Sequence, residues 1–314
     1  MRMTNTSADT SRPDETGSGR EKVHFQSGDT TCSAWHYRGS NGGCVVMAAG
    51  TGVTKEPGTD RFAKRFNEAG FAVLAFDFRH LGESGGEPRQ IVSVRKQQED
   101  YVAAIECART LPGVDPTSIA IWGFSLSGGH VLAVAARNAG IAAAIAQTPL
   151  ADARAAGPNA MRHATLRGFL GLIGRGLLDT VGGLFGREPL LVPLVAPPGT
   201  VAALNTPDAQ QGAAALDPGN DYRDWRQVIA ARSALAVGLY RPGRRAAQID
   251  APLLVLVCDA DQSVLAEPGV RAAAQAPRGE VVRIPGGHYE PFTAGHDVAV
   301  EVELGFLGRH LLSQ

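Results

Sequence analysis

Cysteine is scarce in this sequence, and no pattern of paired cysteines is present. The 314 residues include four cysteines with no Cys-x-x-Cys pair among them: Cys32, Cys44, Cys107 and Cys258. The last three lie in apolar strand or helix patterns, where a cysteine behaves as a small hydrophobic residue. We therefore expect no disulfide, no metal ion and no organic cofactor. Nothing in the sequence requires an oxidising compartment, and a cytoplasmic location is expected.

An excess of charge of one sign is also missing. Thirty Lys and Arg residues stand against 31 Asp and Glu residues, which leaves a formal net charge of −1, and no long basic run occurs. Nucleic acids and anionic membrane surfaces attract proteins largely through clustered positive charge. Neither is therefore expected as a partner, and the sequence makes no prediction of oligomeric state.

Long uninterrupted apolar runs are absent as well. The most apolar region, residues 166–194, is broken by Arg175, Asp179 and several glycines. A membrane-spanning helix would need about 20 mostly apolar residues, so none is predicted here. Residues 1–22 are polar and charged, which predicts a disordered tail rather than a signal peptide.

Short apolar runs alternate with amphipathic helical patterns after this tail. Six strands are predicted in residues 23–150: 23–26, 32–37, 44–49, 71–78, 118–122 and a run that ends at Gln147. Helical spacing appears between them, for example at Phe62, Phe66 and Ala69, and again over residues 93–110. This alternation predicts an α/β fold, with a mostly parallel twisted sheet and helices on both of its faces.

The sequence Trp-Gly-Phe-Ser-Leu-Ser-Gly-Gly-His at residues 122–130 follows one of these strands and precedes a helical run. A serine at a tight strand-to-helix turn, flanked by very small residues, is typical of a nucleophile elbow. Gly123 supplies the small residue on one side of Ser125, and Ser127 replaces the usual glycine on the other. A glycine-rich loop with an incidental serine is the alternative at this point.

Two later strands are each followed by a residue that could complete a catalytic triad. Residues 251–258 precede Asp259 and Asp261, and residues 281–284 precede His288. The order Ser, Asp, His, each after a strand, is that of an α/β-hydrolase triad. A serine hydroxyl needs a base to become nucleophilic near neutral pH, histidine can supply it, and a carboxylate orients the histidine.

Alternatives exist for the acid and for the base. We favour Asp261 because the acid must reach across from the loop after its strand, whereas Asp259 fits a local turn. His130 and His296 compete with His288. His130 lies in the first turns of the helix after the elbow, and His296 lies near the start of the last helix, so His288 is favoured for its position on a Gly-Gly loop.

Two backbone N–H groups should form an oxyanion hole. The residue after the nucleophile, Leu126, supplies one of them. The other is expected from the loop after the third strand, Gly50-Thr51-Gly52, and we choose the N–H of Thr51.

The separation of Ser125 from Asp261 is too long for one helix and one strand. We predict a helical cap at residues 151–240, inserted after the sixth strand, so that residues 23–150 and 241–314 form the two parts of the core. The apolar residues of the region 166–194 would face the catalytic pocket and hold an acyl chain. An ordinary helical insertion that packs on itself is the alternative.

Three stretches of the chain resemble one enzyme family: Phe-Asp-Phe-Arg-His-Leu-Gly-Glu-Ser-Gly-Gly (76–86), Trp-Gly-Phe-Ser-Leu-Ser-Gly-Gly-His (122–130) and Gly-Gly-His-Tyr (286–289). They are similar to those of α/β-hydrolases, and within them the dienelactone-hydrolase-related branch. Within that branch the chain is similar to acyl-handling esterases and polyketide transferases with a G-x-S-x-S-G-G-H elbow. That family usually has glycine where His80 stands. The resemblance implies Ser125 as nucleophile, Asp261 as acid and His288 as base.

The expected activity is that of a serine hydrolase acting on esters or thioesters with apolar acyl groups, through an acyl-Ser125 intermediate. The alternative is an acyltransferase that passes the acyl group to an alcohol or amine. A non-catalytic binding protein on the same fold is a third possibility, because one scaffold hosts many functions. The expected partner is a small-molecule acyl substrate.

Overall fold

The computed structural model describes residues 9–13 and 19–312, and strands and helices alternate through most of them. The strands are β1 (Asp9–Pro13), β2 (Arg20–Ser27), β3 (Thr30–Tyr37), β4 (Cys44–Ala48), β5 (Ala72–Phe76), β6 (Ile119–Phe124), β7 (Ala143–Gln147), β8 (Leu191–Pro193), β9 (Val228–Ala230), β10 (Leu253–Cys258) and β11 (Gly279–Ile284).

The α-helices are α1 (Lys55–Glu68), α2 (Val94–Ala108), α3 (Leu126–Ala135), α4 (Ala153–His163), α5 (Leu166–Leu184), α6 (Gly212–Leu216), α7 (Ala231–Val237), α8 (Ala266–Gln275) and α9 (His296–Leu311). Short 3₁₀ turns occur at Ala209–Gln211, Pro242–Gln248 and Glu290–Phe292. Within the described ranges, no helix has the length and apolar character needed to cross a membrane.

Nine strands form one twisted sheet in the order β1-β2-β3-β5-β4-β6-β7-β10-β11. The pairs from β1 to β5 are antiparallel, and every pair from β5 to β11 is parallel. Helices α1 and α9 pack on one face, and α2, α3 and α8 pack on the other. The predicted α/β fold is therefore confirmed. Because β6, β10 and β11 run in the same direction, the loops that follow them meet at one edge of the sheet.

The four cysteines are all buried, as expected for Cys44, Cys107 and Cys258. Cys44 lies in β4, Cys107 in α2 and Cys258 at the end of β10. Burial raises the pKa of the Cys107 thiol to about 11, which keeps that side chain neutral. This cysteine therefore contributes to the core as a small apolar residue.

The N-terminal region differs from the predicted disordered tail where the structure describes it. Asp9–Pro13 pairs with β2 in antiparallel fashion, and β2 already begins at Arg20. The open edge of β2 offers backbone hydrogen bonds that an extended segment can accept whatever its side chains are, so composition gave no signal. The rest of the predicted tail, residues 1–8 and 14–18, lies outside the described residues. Because β1 was not predicted and adds one strand to the count, the insertion follows the seventh strand rather than the sixth.

The segment between β7 and β10 contains four helices, α4 to α7, and a small antiparallel pair formed by β8 and β9. It is therefore not wholly helical. The last part of the predicted helical cap, residues 225–240, contains β9 before α7 begins at Ala231. The partner of β9 is β8, more than 30 residues earlier in the chain, and a local periodicity cannot reveal such a pairing.

The loop after β5 carries His80 where the family that the sequence resembles usually has glycine. His80 has a φ of 70°, in the left-handed region that glycine adopts without strain. Its ring is buried, and neither ring nitrogen has a hydrogen-bond partner among the described residues. The backbone therefore keeps a conformation suited to glycine although a histidine occupies the position.

Candidate active site

Ser125 occupies a sharp turn between β6 and α3. Its φ of 58° and ψ of −116° are unusual for a residue with a side chain, and such strain is typical of nucleophile elbows. A Cβ atom at Gly123 would lie 2.4 Å from the carbonyl oxygen of Ser127, so only glycine fits there. The local sequence thus forces Ser125 to the edge of the sheet.

Ser127 has a structural role that the sequence did not indicate. Its side chain is fully buried, and its hydroxyl donates a hydrogen bond to the carbonyl oxygen of Ala49. Ala49 directly precedes Gly50 and Thr51. The residue that replaces the usual glycine therefore ties the elbow to the loop that was expected to form the oxyanion hole.

The structure brings together the three residues predicted as a triad. His288 Nε2 lies 3.0 Å from Ser125 Oγ, and His288 Nδ1 lies 2.7 Å from Asp261 Oδ2. The other oxygen, Asp261 Oδ1, accepts hydrogen bonds from the backbone N–H groups of Ser263 and Val264, each at 2.9 Å. Asp261 is thus held by its own loop while it orients the imidazole.

The electrostatics of His288 favour its protonated form. Burial lowers the pKa of the imidazole, but the charge and hydrogen bond of Asp261, with a further contribution from the charge of Asp208, outweigh burial. The pKa of His288 is therefore raised above its ordinary value. The ring also lies against two aromatic side chains, Phe124 at 4.9 Å and Tyr289 at 5.0 Å between ring centroids.

Asp259, the alternative acid, lies in a different environment. Its side chain is half exposed, and its Oδ1 atom accepts a hydrogen bond of 2.8 Å from Arg283 Nε. Asp261 rather than Asp259 reaches His288.

The alternative histidines are also held away from the nucleophile. His130 is fully buried, with Nε2 3.0 Å from Gln97 Oε1 and Nδ1 3.1 Å from the hydroxyl of Tyr240. His296 Nδ1 lies 3.0 Å from the carbonyl oxygen of Pro291. Both side chains serve packing and local hydrogen bonding.

The loop after β4 passes close to the elbow. A Cβ atom at Gly50 would lie 3.3 Å from the Cβ atom of Ser125, and Gly50 and Thr51 line the cavity beside that serine. Leu126 is the first residue of α3, so its N–H lies at the positive end of the helix dipole. The two backbone groups chosen from the sequence flank the nucleophile, and their role as an oxyanion hole stays a prediction.

A buried ion pair fixes the far end of the same loop. Asp77, just after β5, accepts hydrogen bonds from the backbone N–H of Lys55 at 2.7 Å, from Lys55 Nζ at 2.8 Å and from the N–H of Glu83 at 3.0 Å. Lys55 Nζ also contacts Glu83 at 2.6 Å and Glu56 at 3.2 Å. Burial lowers the pKa of Lys55, but the charges and hydrogen bonds of these carboxylates outweigh burial. The pKa of Lys55 is therefore raised above its ordinary value, and the amine stays charged.

A cavity of about 240 Å³ opens beside Ser125. The core contributes Gly50, Thr51, Val53, Phe124, Ser125 and Tyr289, and the inserted segment contributes residues 194–197, Leu204, Ala209, Gln210, Gly212, Ala213, Trp225 and Gln227. Trp225 also donates a hydrogen bond of 3.0 Å from Nε1 to the carbonyl oxygen of Gly52. The insertion therefore covers the nucleophile and forms one wall of the cavity.

Helix α5 does not take the place predicted for it. Six of its large apolar side chains point to solvent and are each more than half exposed: Leu166, Leu170, Leu177, Leu178, Val181 and Leu184. The opposite side of the helix packs on α7, where a Cβ atom at Gly176 would lie 2.4 Å from Leu235. The prediction that the region 166–194 holds the acyl chain is wrong for α5, because its packed side, which includes Gly176 and the partly buried Leu172, meets α7 and the core, and no residue of α5 lines the cavity. Only Leu194, at the end of that region, lines the cavity.

Within residues 9–13 and 19–312, no group of three or more His, Cys, Asp or Glu side chains is arranged to hold a metal ion. The polar side chains that line the cavity beside Ser125 include those of Thr51, Gln210, Gln227 and Tyr289.

Comparison with known proteins places most of the chain in the alpha/beta hydrolase family. The model of the alpha/beta hydrolase family matches residues 45–302. Quorum-quenching protein AidA of Acinetobacter baumannii is 38% identical over 291 residues, which covers 91% of this chain and 94% of AidA. Polyketide transferase grgF of a Penicillium species is 32% identical over 201 residues, 63% of this chain and 64% of that protein. Thiohydrolase aneE of Aspergillus aculeatus is 40% identical over 114 residues, 36% of each chain.

Solved structures give the same fold. The crystal structure of GrgF from Penicillium sp. sh18 superposes with a TM-score of 0.76 at 24% identity, covering 93% of this chain and 99% of that one. DcsB, solved with a substrate analogue, superposes with a TM-score of 0.77 at 20% identity over the same shares of the two chains. At these identities the likeness shows the fold alone. With the family match and the AidA relative, however, the assignment is plain: this chain belongs to the alpha/beta hydrolase family.

Proposed function

We propose that the chain is a serine hydrolase that cleaves esters or thioesters with apolar acyl groups. The observation that carries the proposal is the continuous chain of hydrogen bonds from Ser125 Oγ through His288 to Asp261, with separations of 3.0 Å and 2.7 Å. In this geometry His288 can take the hydroxyl proton while Asp261 steadies the imidazolium. The elbow Gly-Phe-Ser-Leu-Ser-Gly-Gly-His also supports a place in the dienelactone-hydrolase-related branch.

The reaction then proceeds in two halves. Ser125 Oγ attacks the acyl carbonyl, and its proton passes to His288 Nε2. The developing oxyanion accepts hydrogen bonds from the N–H groups of Thr51 and Leu126. His288 next protonates the departing alcohol or thiol and leaves acyl-Ser125. Water, deprotonated by His288, attacks the same carbonyl, and the proton returns to Ser125 as the acid is released.

The cavity supports an acyl substrate of modest size. Its volume of about 240 Å³ lies below the roughly 300–1,000 Å³ typical of sites for drug-sized ligands. Phe124, Leu194 and Trp225 give it apolar walls. We expect kcat/KM to rise with acyl chain length and then to fall once the chain exceeds the cavity. A panel of activated esters and thioesters of increasing length measures this dependence.

The triad assignment is tested by three variants. Ser125→Ala should abolish both turnover and labelling by a fluorophosphonate probe. Asp261→Asn should lower kcat by about 10⁴, because the imidazole loses the carboxylate that fixes its tautomer. Asp259→Asn is the matched control and should stay close to the wild type, since an exposed ion pair with Arg283 contributes little. Labelling of another serine in Ser125→Ala, or greater damage from Asp259→Asn, would contradict the assignment.

Acyl transfer is the second candidate, and the similarity of the chain to polyketide transferase grgF favours it. A transferase would use the same acyl-Ser125 but deliver the acyl group to an alcohol or amine. Turnover of an activated thioester with and without added acceptors separates the two. Free acid as the main product at every acceptor concentration indicates hydrolysis, and acylated acceptor in excess of free acid indicates transfer.

A further inference from the structure

Asp208 is a buried carboxylate that the catalytic chain of hydrogen bonds does not include. It lies in the inserted segment, immediately before the 3₁₀ turn Ala209–Gln211, and only 9% of it is exposed. Burial raises its pKa, but hydrogen bonds from Gln262 and Ser263 and the charge of His288 outweigh burial. The pKa of Asp208 is lowered as a result, so the group carries a negative charge.

This carboxylate accepts several hydrogen bonds from the loop that carries the catalytic acid. Asp208 Oδ2 accepts hydrogen bonds from the backbone N–H groups of Gln262 at 2.8 Å and Ser263 at 3.2 Å. Asp208 Oδ1 accepts one from the hydroxyl of Ser263 at 2.8 Å. The N–H of Ser263 points at the same time to Asp261 Oδ1, at 2.9 Å. One backbone group is therefore shared between the catalytic acid and Asp208.

Asp208 also reaches the loop that carries the catalytic base. The backbone N–H of His288 donates to Asp208 Oδ2 at 3.4 Å. The two chains approach closely at this point, since a Cβ atom at Gly287 would lie 3.3 Å from the Cβ atom of Asp208. A single side chain of the insertion thus contacts both loops whose relative position sets the distance from His288 to Asp261.

The same segment forms part of the substrate cavity. Ala209, Gln210 and Gly212 line the cavity directly after Asp208. A Cβ atom at Gly212 would lie 2.5 Å from the ring of Tyr289, the neighbour of His288. A displacement of this wall is therefore transmitted to the acid and base loops.

We propose that Asp208 is a positioning residue for the reaction of Ser125, one that locks the inserted segment onto the loops of Asp261 and His288 and places a second negative charge beside the imidazolium. The inference rests on the proposed function. It implies that the insertion is a fixed part of the catalytic machinery in the region of Asp208, and that the triad is complete only when this segment is docked.

Of the other titratable groups around His288, two are neutral and do not add to the negative charges of Asp208 and Asp261. Asp261 faces the ring from the acid loop. Tyr289 stays neutral, because burial and then the charges of Asp208 and Asp261 raise the pKa of its phenol. The thiol of Cys258 at the end of β10 stays neutral too, since burial and the nearby carboxylates of Asp261, Glu290, Asp259 and Asp208 raise its pKa. Asp261 and Asp208 are the carboxylates whose charges raise the pKa of His288.

The test separates the charge of Asp208 from its shape. In Asp208→Asn, the side-chain oxygen can still accept hydrogen bonds from the backbone N–H groups of Gln262 and Ser263, while the NH₂ group faces the hydroxyl of Ser263. This variant therefore removes the charge with little change in geometry. Asp208→Ala removes both. Asp224→Asn, at an exposed aspartate of the same insertion, is the matched control. For each protein, the rate of fluorophosphonate labelling and kcat/KM for an activated ester are measured from pH 4 to pH 9, after circular dichroism has verified folding.

We expect the acidic limb of both profiles to move to lower pH in Asp208→Asn, because protonated His288 loses a stabilising charge. Asp208→Ala should in addition lower the plateau rate by about 100-fold, the cost of a small misplacement of catalytic groups. Asp224→Asn should match the wild type. The proposal would be overturned if the acidic limb of the pH profile of Asp208→Asn coincided with that of the wild type. It would also be overturned if the plateau rate of Asp208→Ala equalled that of the wild type. If Asp208→Ala does not fold, the limb of Asp208→Asn decides.

The two hypotheses fail in different ways. Absence of labelling at Ser125 in the wild-type protein at every pH would refute the proposed function itself. Normal wild-type labelling with an unshifted limb in Asp208→Asn would refute the role of Asp208 alone.

Discussion

Replacement of Asp77 by alanine is expected to destabilise the protein strongly and to slow its reaction. Asp77 and Lys55 are only 2% and 1% exposed, so neither partner has access to water. Removal of the carboxylate leaves the N–H groups of Lys55 and Glu83 without their acceptor, and it takes one of three carboxylates away from a buried ammonium group. Breaking a buried pair in this way costs about 3–5 kcal/mol. Because Glu83 and Glu56 still contact Lys55 Nζ, the lower end of that range applies.

The effect on the reaction follows from the position of Lys55. It is the first residue of α1 and lies four residues after Thr51, so its backbone hydrogen bond to Asp77 anchors one end of the loop after β4, which we propose contributes the Thr51 N–H to an oxyanion hole. A loosened loop places the N–H of Thr51 less accurately, and kcat is expected to fall by about 10-fold to 100-fold. Urea unfolding followed by circular dichroism measures the free energy of unfolding, and turnover of an activated ester measures kcat.

Glu83→Gln is the control for this prediction. The Glu83 side chain is 41% exposed, so its contacts with Lys55 and Lys22 are screened by water and contribute little to stability. A change of less than about 1 kcal/mol is expected there. If Asp77→Ala stays within that range too, or if Glu83→Gln is the more harmful of the two, the reasoning about the buried pair is refuted.

Three further outcomes are expected. Burial lowers the pKa of His130 from 6.5 to about 3, so its stabilising contribution is complete above pH 6.5 and is lost as pH falls. Between pH 6.5 and about pH 3, the free energy of unfolding of the wild type, measured in urea, should fall by up to ~1.4 kcal/mol per pH unit relative to that of His130→Gln. Burial raises the pKa of Glu303 well above 4.5, so its contribution is complete below pH 4.5 and declines as pH rises. Glu303→Gln, which keeps an acceptor for Trp122 Nε1, should therefore melt at a higher temperature than the wild type at pH 8, with a smaller difference at pH 5. Ser127→Ala leaves the carbonyl oxygen of Ala49 without its hydroxyl donor, which should cost about 1–3 kcal/mol in urea and slow fluorophosphonate labelling; unchanged labelling would show that this bond does not position the loop.

Local geometry explains why the elbow could be predicted from the sequence. The requirement for glycine at residue 123 arises from Ser127, only four positions away, and the positive φ of Ser125 arises from the same turn. Asp261 and His288 were found in a similar way, because each follows a buried strand and all parallel strands end at one edge of the sheet. Periodicity also located α1 and α2, since their apolar faces pack against the sheet.

Interactions between distant parts of the chain could not be predicted in this way. The pairing of β1 with β2 depends on an open sheet edge, and that of β8 with β9 depends on a partner far along the chain. The prediction for α5 failed because a run of leucines does not indicate which face of a helix packs against the rest of the protein. Asp208 gave no signal, since it lies in a polar turn and is 80 residues from His288.

The sequence by itself determined the family of folds, and it indicated the proposed nucleophile and the order of the three proposed catalytic residues, because those features depend on turns of a few residues and on the direction of successive strands. The tertiary structure alone decided which part of the insertion covers Ser125 and which side chain of the insertion contacts the loops of Asp261 and His288. These depend on how separate segments pack against one another, and packing is settled by the whole set of buried contacts rather than by any stretch of the chain.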